Sequence, residues 1–171
     1  MLVGVCALCL AANVAAKEKP DAPCKVKPKA SKQYPGDDAP KEALAKWMAS
    51  TALRARLPAE LPVMAALVES GLQNSSFGDA DAVGYFQMRV SIWNAGAYAG
   101  FAEDPELQLQ WFIDQALLVE QQRVADGASI AELLNDDQGY GDWIADVERP
   151  AEQFRGRYQL RLDEARGLIC A

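Results

Sequence analysis

The sequence predicts an all-α domain behind an extended tail, and three observations carry that expectation. From Glu42 onward apolar residues recur at helical spacing, with Pro, Gly and acidic residues where helices should start and stop. No stretch alternates apolar and polar residues for long enough to claim a strand. Ahead of the periodic part, Pro20, Pro23, Pro28, Pro35 and Pro40 lie among Lys, Asp and Gly, a composition that cannot build a core. The chain has 171 residues and half are apolar, so one domain around one core is expected.

The elements follow in order. Leu44, Trp47, Met48, Ala52 and Leu53 place a first helix over Glu42 to Leu57, stopped by Pro58. Pro62 suits the first turn of a second helix, which Gly71 closes as its C′ residue. Residues 72–84 read as a loop, followed by a short helical segment around 90–95. Asp104 caps the longest helix, Glu106 to Asp126, with Leu107, Trp111, Phe112, Gln115, Leu118 and Val119 along one side and Gly127 at its end. Helices over 130–134, 142–147 and 151–169 complete the domain, the last two separated by Pro150. There is no internal repeat.

The first 16 residues hold a short apolar run and then Val14-Ala15-Ala16, the shape of a secretory signal or an N-terminal anchor, although no basic residues precede the run. This divides the chain into a leader over 1–16, a Lys/Pro-rich linker over 17–40 and a domain over 41–171, in a protein that is secreted or held in the cell envelope. Losing the leader removes Cys6 and Cys9. Cys24 and Cys170 then remain, either as a disulfide or as two thiols.

Six Lys against two acids make residues 17–32 basic, while the whole chain carries 24 acids against 17 basic residues. An acidic domain argues against nucleic-acid binding. The apolar run at the start is too short to span a bilayer comfortably, so no integral membrane domain is expected. The chain contains no His, which excludes Ser-His-Asp and Cys-His catalysis and the common zinc sites. No metal or organic cofactor is implied, and attention passes to carboxylates.

Glu69 is the one ionisable side chain at the end of an otherwise apolar helix, beside Met64, Ala65, Ala66 and Val68. Poor solvation and the negative end of the helix dipole both favour the neutral acid, as a general acid near neutral pH requires. Downstream, Val83-Gly-Tyr-Phe-Gln-Met88 carries one amide, Gln87, suited to an N-acetyl or hydroxyl group of a sugar, or else to bridging the loop to the Glu69 helix. Ser70 either bonds substrate or closes the helix. Tyr85, Phe86 and Met88 either line a sugar subsite or enter the core.

Ala66-Leu-Val-Glu-Ser-Gly-Leu-Gln-Asn74, Val83-Gly-Tyr-Phe-Gln-Met88 and Asp104-Pro-Glu-Leu-Gln-Leu-Gln110, in that order, resemble the soluble-lytic-type lytic transglycosylase family, which includes goose-type lysozymes. The resemblance covers residues 44–169 and implies a lysozyme-like helical fold. It implies Glu69 as catalytic acid and Tyr158, in Arg155-Gly-Arg-Tyr-Gln159, as a residue facing it. The implied substrate is peptidoglycan, cut between N-acetylmuramic acid and N-acetylglucosamine by a monomer.

A further family motif, Ala-Tyr-Asn-Ala-Gly, is imitated by Trp93-Asn-Ala-Gly96, but ahead of the Asp-Pro-Glu helix rather than after it. The expected position holds Gly141 to Pro150, where Trp143, Asp146 and Glu148 are candidates to line the cleft.

The number of carboxylates separates two reactions. A lytic transglycosylase needs Glu69 alone and leaves 1,6-anhydro ends. A goose-type hydrolase needs a second carboxylate to activate water, and Asp79 or Asp81 are the candidates. A non-catalytic cell-wall-binding module would keep the fold without the reaction.

Overall fold

The computed structural model describes residues 33–171. The expected leader, most of the linker and Cys24 lie outside them, so the disulfide expectation falls there too; Cys170 stands at the surface in the last turn of the last helix.

The described chain is mostly helical. Its elements are α1 (Lys41–Arg54), α2 (Glu60–Glu69), β1 (Ala82–Val83), β2 (Met88–Arg89), α3 (Val90–Trp93), α4 (Pro105–Ala125), α5 (Ile130–Asn135), α6 (Tyr140–Glu148) and α7 (Leu162–Cys170). Two features depart from the expectation. A two-residue antiparallel ladder pairs Ala82 with Arg89 and Val83 with Met88. The continuous final helix is replaced by 3-10 turns over Glu152–Arg157 and Gln159–Arg161, and only then by α7.

At the centre lies α2. Every residue from Leu61 to Leu67 is buried, so the helix has no polar face and must be enclosed on all sides. It packs against α1, α4, α6 and α7. Truncating one of its leucines would cost about 2–5 kcal/mol through lost transfer energy and the cavity left behind.

In α4 the buried stripe runs through Gln108, Leu109, Trp111, Phe112, Ile113, Gln115 and Ala116. Leu118, expected on that side, is 55% exposed instead. Asp104 caps the helix by accepting the N–H groups of Glu106 and Leu107 at 2.9 and 3.1 Å.

The folded part starts earlier than Lys41. Tyr34 packs edge-on against Trp47 at 4.9 Å, and its hydroxyl lies 2.9 Å from that of Tyr85. Asn74 donates to Asp37 at 2.8 Å, so residues 34–37 lie against the loop that follows α2. A tyrosine inside a Pro- and Lys-rich run escapes a compositional reading.

Candidate active site

Glu69 is the last residue of α2 and is half-buried. The helix stops there because Gly71 and Leu72 turn left-handed, with φ of 65° and 63°. Ser70 and Leu72 return their N–H groups to Ala66 O at 3.1 and 2.9 Å, satisfying the open helix end. Burial raises the Glu69 carboxyl above the usual carboxylate range. The Tyr158 hydroxyl donates to Glu69 Oε1 at 2.5 Å and partly opposes that rise. Glu69 makes no ion pair among the described residues.

Tyr158 reaches Glu69 because α6 and the 3-10 segment approach closely. At Gly141 an added Cβ would sit 2.6 Å from Gln159 Cβ, so only glycine permits this spacing. The Gly141 N–H donates to Gln159 Oε1 at 2.7 Å, and Gln159 Nε2 donates to Asp137 O at 2.9 Å. Gln159 is thereby pinned, and Tyr158 beside it is fixed. Burial, followed by the charge of Glu69, pushes the phenol well above its ordinary value, so it stays a donor.

A second carboxyl group belongs to this centre. Glu148 ends α6, its Oε1 is sealed from solvent, and no hydrogen bond reaches that oxygen. Burial pushes it well above the usual range, the charge of Glu69 pushes it further, and Arg149 pulls the other way. The sequence marked Glu148 only as a cleft-lining candidate. Its position just before Arg149-Pro150 was the available signal, but the effect of the Glu69 charge on it depends on how α2 and α6 pack.

The turn after β1 is tied to the same helix end. Ser70 Oγ lies 3.1 Å from Ala66 O and 2.9 Å from Tyr85 O, sharing its proton between the two carbonyls. It also accepts the Gln73 N–H at 3.3 Å. Ser70 therefore closes the helix and joins it to the turn. Gly84, at φ 84°, lies where a Cβ would fall 2.3 Å from Gln108 Oε1, an oxygen that accepts the Tyr85 N–H at 2.9 Å. Gln87, at φ 46°, donates its amide to Gly84 O at 3.1 Å, and its Oε1 faces Gly78, where a Cβ would lie 1.8 Å away. Its amide braces the loop.

Several expected roles are corrected. Tyr85, Phe86 and Met88 are 0%, 1% and 2% exposed and belong to the core rather than to a sugar subsite. Phe86 stacks on Phe112 at 4.8 Å, and the Tyr85 hydroxyl is spent on Tyr34. Asp81 is ion-paired with Arg89, brought opposite by the β1–β2 hairpin, and accepts the Ser91 N–H at 2.6 Å. These bonds hold its carboxyl well below the usual range. Asp79 is exposed on the loop, where its carbonyl accepts the Ala82 N–H at 3.0 Å.

Trp143 is core and donates to Ala116 O at 3.1 Å. Asp146 is partly buried, yet its bonds to Arg123 and Arg155, at 2.7 and 2.6 Å, bring it below the usual range. The Trp93 segment is local structure: Asn94 Oδ1 accepts the Gly100 N–H at 2.6 Å, and Trp93 packs edge-on against Trp111 at 5.2 Å.

A cavity of about 700 Å³ lies elsewhere, lined by Arg123, Leu133, Asp136 and Trp143 among others. Among the described residues no group of three or more metal-ligating side chains converges. No family model, curated protein or solved structure matches the chain. The functional reading therefore stands on the motifs and on the Glu69 centre.

Proposed function

We propose that this chain is a peptidoglycan lytic transglycosylase with a lysozyme-like fold, in which Glu69 serves as the single acid and base. One observation carries the reading: a half-buried, unpaired carboxyl at the end of an apolar helix, raised by burial and held on one oxygen by Tyr158. Such a group holds its proton to higher pH than an exposed carboxyl does and presents it in a fixed direction.

In the reaction Glu69 gives its proton to the glycosidic oxygen as that oxygen leaves C1. The acetamido group of the substrate stabilises the positive C1. The Glu69 carboxylate then takes the proton of the C6 hydroxyl, whose oxygen bonds C1. The product ends in a 1,6-anhydro ring, and Glu69 regains its proton.

Two placements favour this route over hydrolysis. Asp81 is committed to Arg89 and Ser91, and burial with one oxygen sealed disfavours Glu148 as a carboxylate. A base that activates water needs an ionised oxygen facing solvent.

The test is digestion of purified cell-wall sacculi by the wild type and by Glu69→Gln, with mass spectrometry of the soluble fragments. Anhydro-ended fragments from the wild type and none from a folded Glu69→Gln are expected. Reducing-ended fragments would replace the single-acid reaction with hydrolysis. Release of no fragments by the wild type, with or without binding to sacculi, would overturn the enzymatic reading.

A further inference from the structure

Arg166, in α7, spans two carboxylates. Its Nε lies 3.1 Å from Oε1 of Glu60, the first residue of α2, and its Nη2 lies 2.9 Å from Asp137 Oδ2. Asp137 opens a 3-10 turn of three residues, Asp137–Gly139, just ahead of α6. So short a turn has little hydrogen bonding of its own to fix its place, and the guanidinium ties it to α7. Asp137 Oδ1 also accepts the Gln138 amide at 3.0 Å. The backbone carbonyl of the same Asp137 accepts Gln159 Nε2 at 2.9 Å, while Gln159 Oε1 accepts the Gly141 N–H at 2.7 Å. An amide held at both ends has no freedom to rotate. Next to it in the chain is Tyr158, which donates to Glu69 at 2.5 Å.

We propose that Asp137 is a positioning residue for the Tyr158–Glu69 pair: Arg166 anchors its carboxylate, its carbonyl orients Gln159, and Gln159 sets the phenol against Oε1 of Glu69. A hydrogen bond weakens steeply as its angle opens, so the phenol must be held in place to stay bonded. Glu60 and Asp137 both pair with Arg166, but the path to Tyr158 runs through Asp137. Loosening Asp137 releases the phenol, whereas loosening Glu60 frees the start of α2 from α7. The sign of the effect on Glu69 separates positioning from charge. Removing an acid favours the carboxylate form of Glu69, whereas withdrawing the phenol donor disfavours it. The role rests on Glu69 as the acid of the proposed reaction, while the tie is a property of the folded chain alone.

The tie is tested by following the Glu69 carboxyl carbon by carbon-13 NMR against pH in the wild type, Asp137→Ala, Asp137→Asn and Glu60→Gln. Asp137→Ala should raise the Glu69 midpoint by about 0.5 pH unit, in the direction of Tyr158→Phe and by less. Asp137→Asn keeps the side-chain shape, serves if the alanine variant does not fold, and should raise the midpoint by a smaller amount. Glu60→Gln should leave it in place or lower it. In a Tyr158→Phe background Asp137→Ala should bring no further rise. A midpoint unchanged or lowered in the folded Asp137 variants would overturn the tie, as would a further rise in the Tyr158→Phe background.

Release of wall fragments against pH is the second readout. In Asp137→Ala kcat should fall roughly 3- to 10-fold with little change in KM, and the alkaline limb should move to higher pH with the Glu69 midpoint. A kcat and an alkaline limb that stay at their wild-type values beside a raised midpoint would overturn the positioning role. If the midpoint rises as expected and the wild type cuts no wall at any pH, the tie stands and the proposed reaction falls.

Discussion

Tyr158 and Glu69 stand 89 residues apart in the chain and are joined by a 2.5 Å hydrogen bond from the phenol to Oε1. The bond occupies Oε1, and in the proposed reaction Oε2 carries the transferable proton. It also opposes the effect of burial, because a donor to the ionised form favours ionisation. Tyr158 is itself only 1% exposed, so its ring is core while its hydroxyl is part of the site.

Tyr158→Phe keeps the ring and removes the donor. Hydrogen bonds to charged groups are worth about 1.5–3 kcal/mol, so kcat on sacculi should fall roughly 10- to 100-fold while the protein stays folded. Without the donor, the Glu69 carboxyl rises further, and the alkaline limb of the rate profile should move to higher pH. Fragment release across pH 4–9 would check both (a rate and an alkaline limb that both stay at their wild-type values would mean that Tyr158 acts only by packing).

The loop carboxylates give a second expectation. Asp81 is held by Arg89 and Ser91 and so is not placed as a base for water, while Asp79 stands exposed on its loop. Asp79→Asn and Asp81→Asn should both retain most of the wall-cutting activity. Asp81→Asn should lower the melting temperature slightly, since the hairpin loses its cross-strand ion pair. Loss of turnover in either variant, with the melting temperature intact, would return the goose-type hydrolytic route to favour.

What the sequence disclosed and what it concealed divide along physical lines. The starts of α1, α2 and α4 and the ends of α2 and α4 were legible because Pro, Gly and a capping Asp act locally, whereas α1 stops at Arg54, short of the expected Leu57, with Arg56 turned left-handed at φ 64°. Glu69 was legible because one acid closes an apolar run. The environment of Tyr85, Phe86 and Met88 was not, because an apolar side chain fits a sugar face or a core equally well and tertiary packing alone decides. The commitment of Asp81 was hidden because its partner, Arg89, lies across a hairpin of two-residue strands, too short to show alternation. The segment after Pro150 looked like one helix, yet Arg155 is drawn to Asp146 and Tyr158 to Glu69, and these ties accompany 3-10 turns where α-helical spacing was expected.

Gln108 supplies the third expectation. It is fully buried in α4, where it accepts the Tyr85 N–H at 2.9 Å and donates to Phe101 O and Asn74 Oδ1 at 3.1 Å each. It therefore locks the Gly84–Tyr85 turn, the loop after α2 and the entry to α4 into one network. Gln108→Leu leaves a buried N–H and a buried carbonyl unpaired, at about 1–3 kcal/mol each. Unfolding in urea should show a loss of about 2–4 kcal/mol with an unchanged slope. A loss below about 0.5 kcal/mol would mean that water or a shifted turn replaces those bonds.

Glu148 makes a prediction about stability that needs no substrate. Its folded carboxyl is raised well above the ordinary range, while in the unfolded chain it titrates at about 4.3. Below the unfolded value both states are protonated and the group is neutral toward folding. As pH rises past it, the unfolded chain gains by ionising while the folded chain does not, so native stability falls until the folded group ionises too. Glu148→Gln cannot ionise and escapes that loss. Its melting temperature should match the wild type near pH 4 and exceed it by a few degrees near pH 8, as thermal unfolding at the two pH values would register. A constant difference across that range would mean that the carboxyl of Glu148 is ionised in the folded protein, and the account of a sealed neutral acid beside Glu69 would be lost.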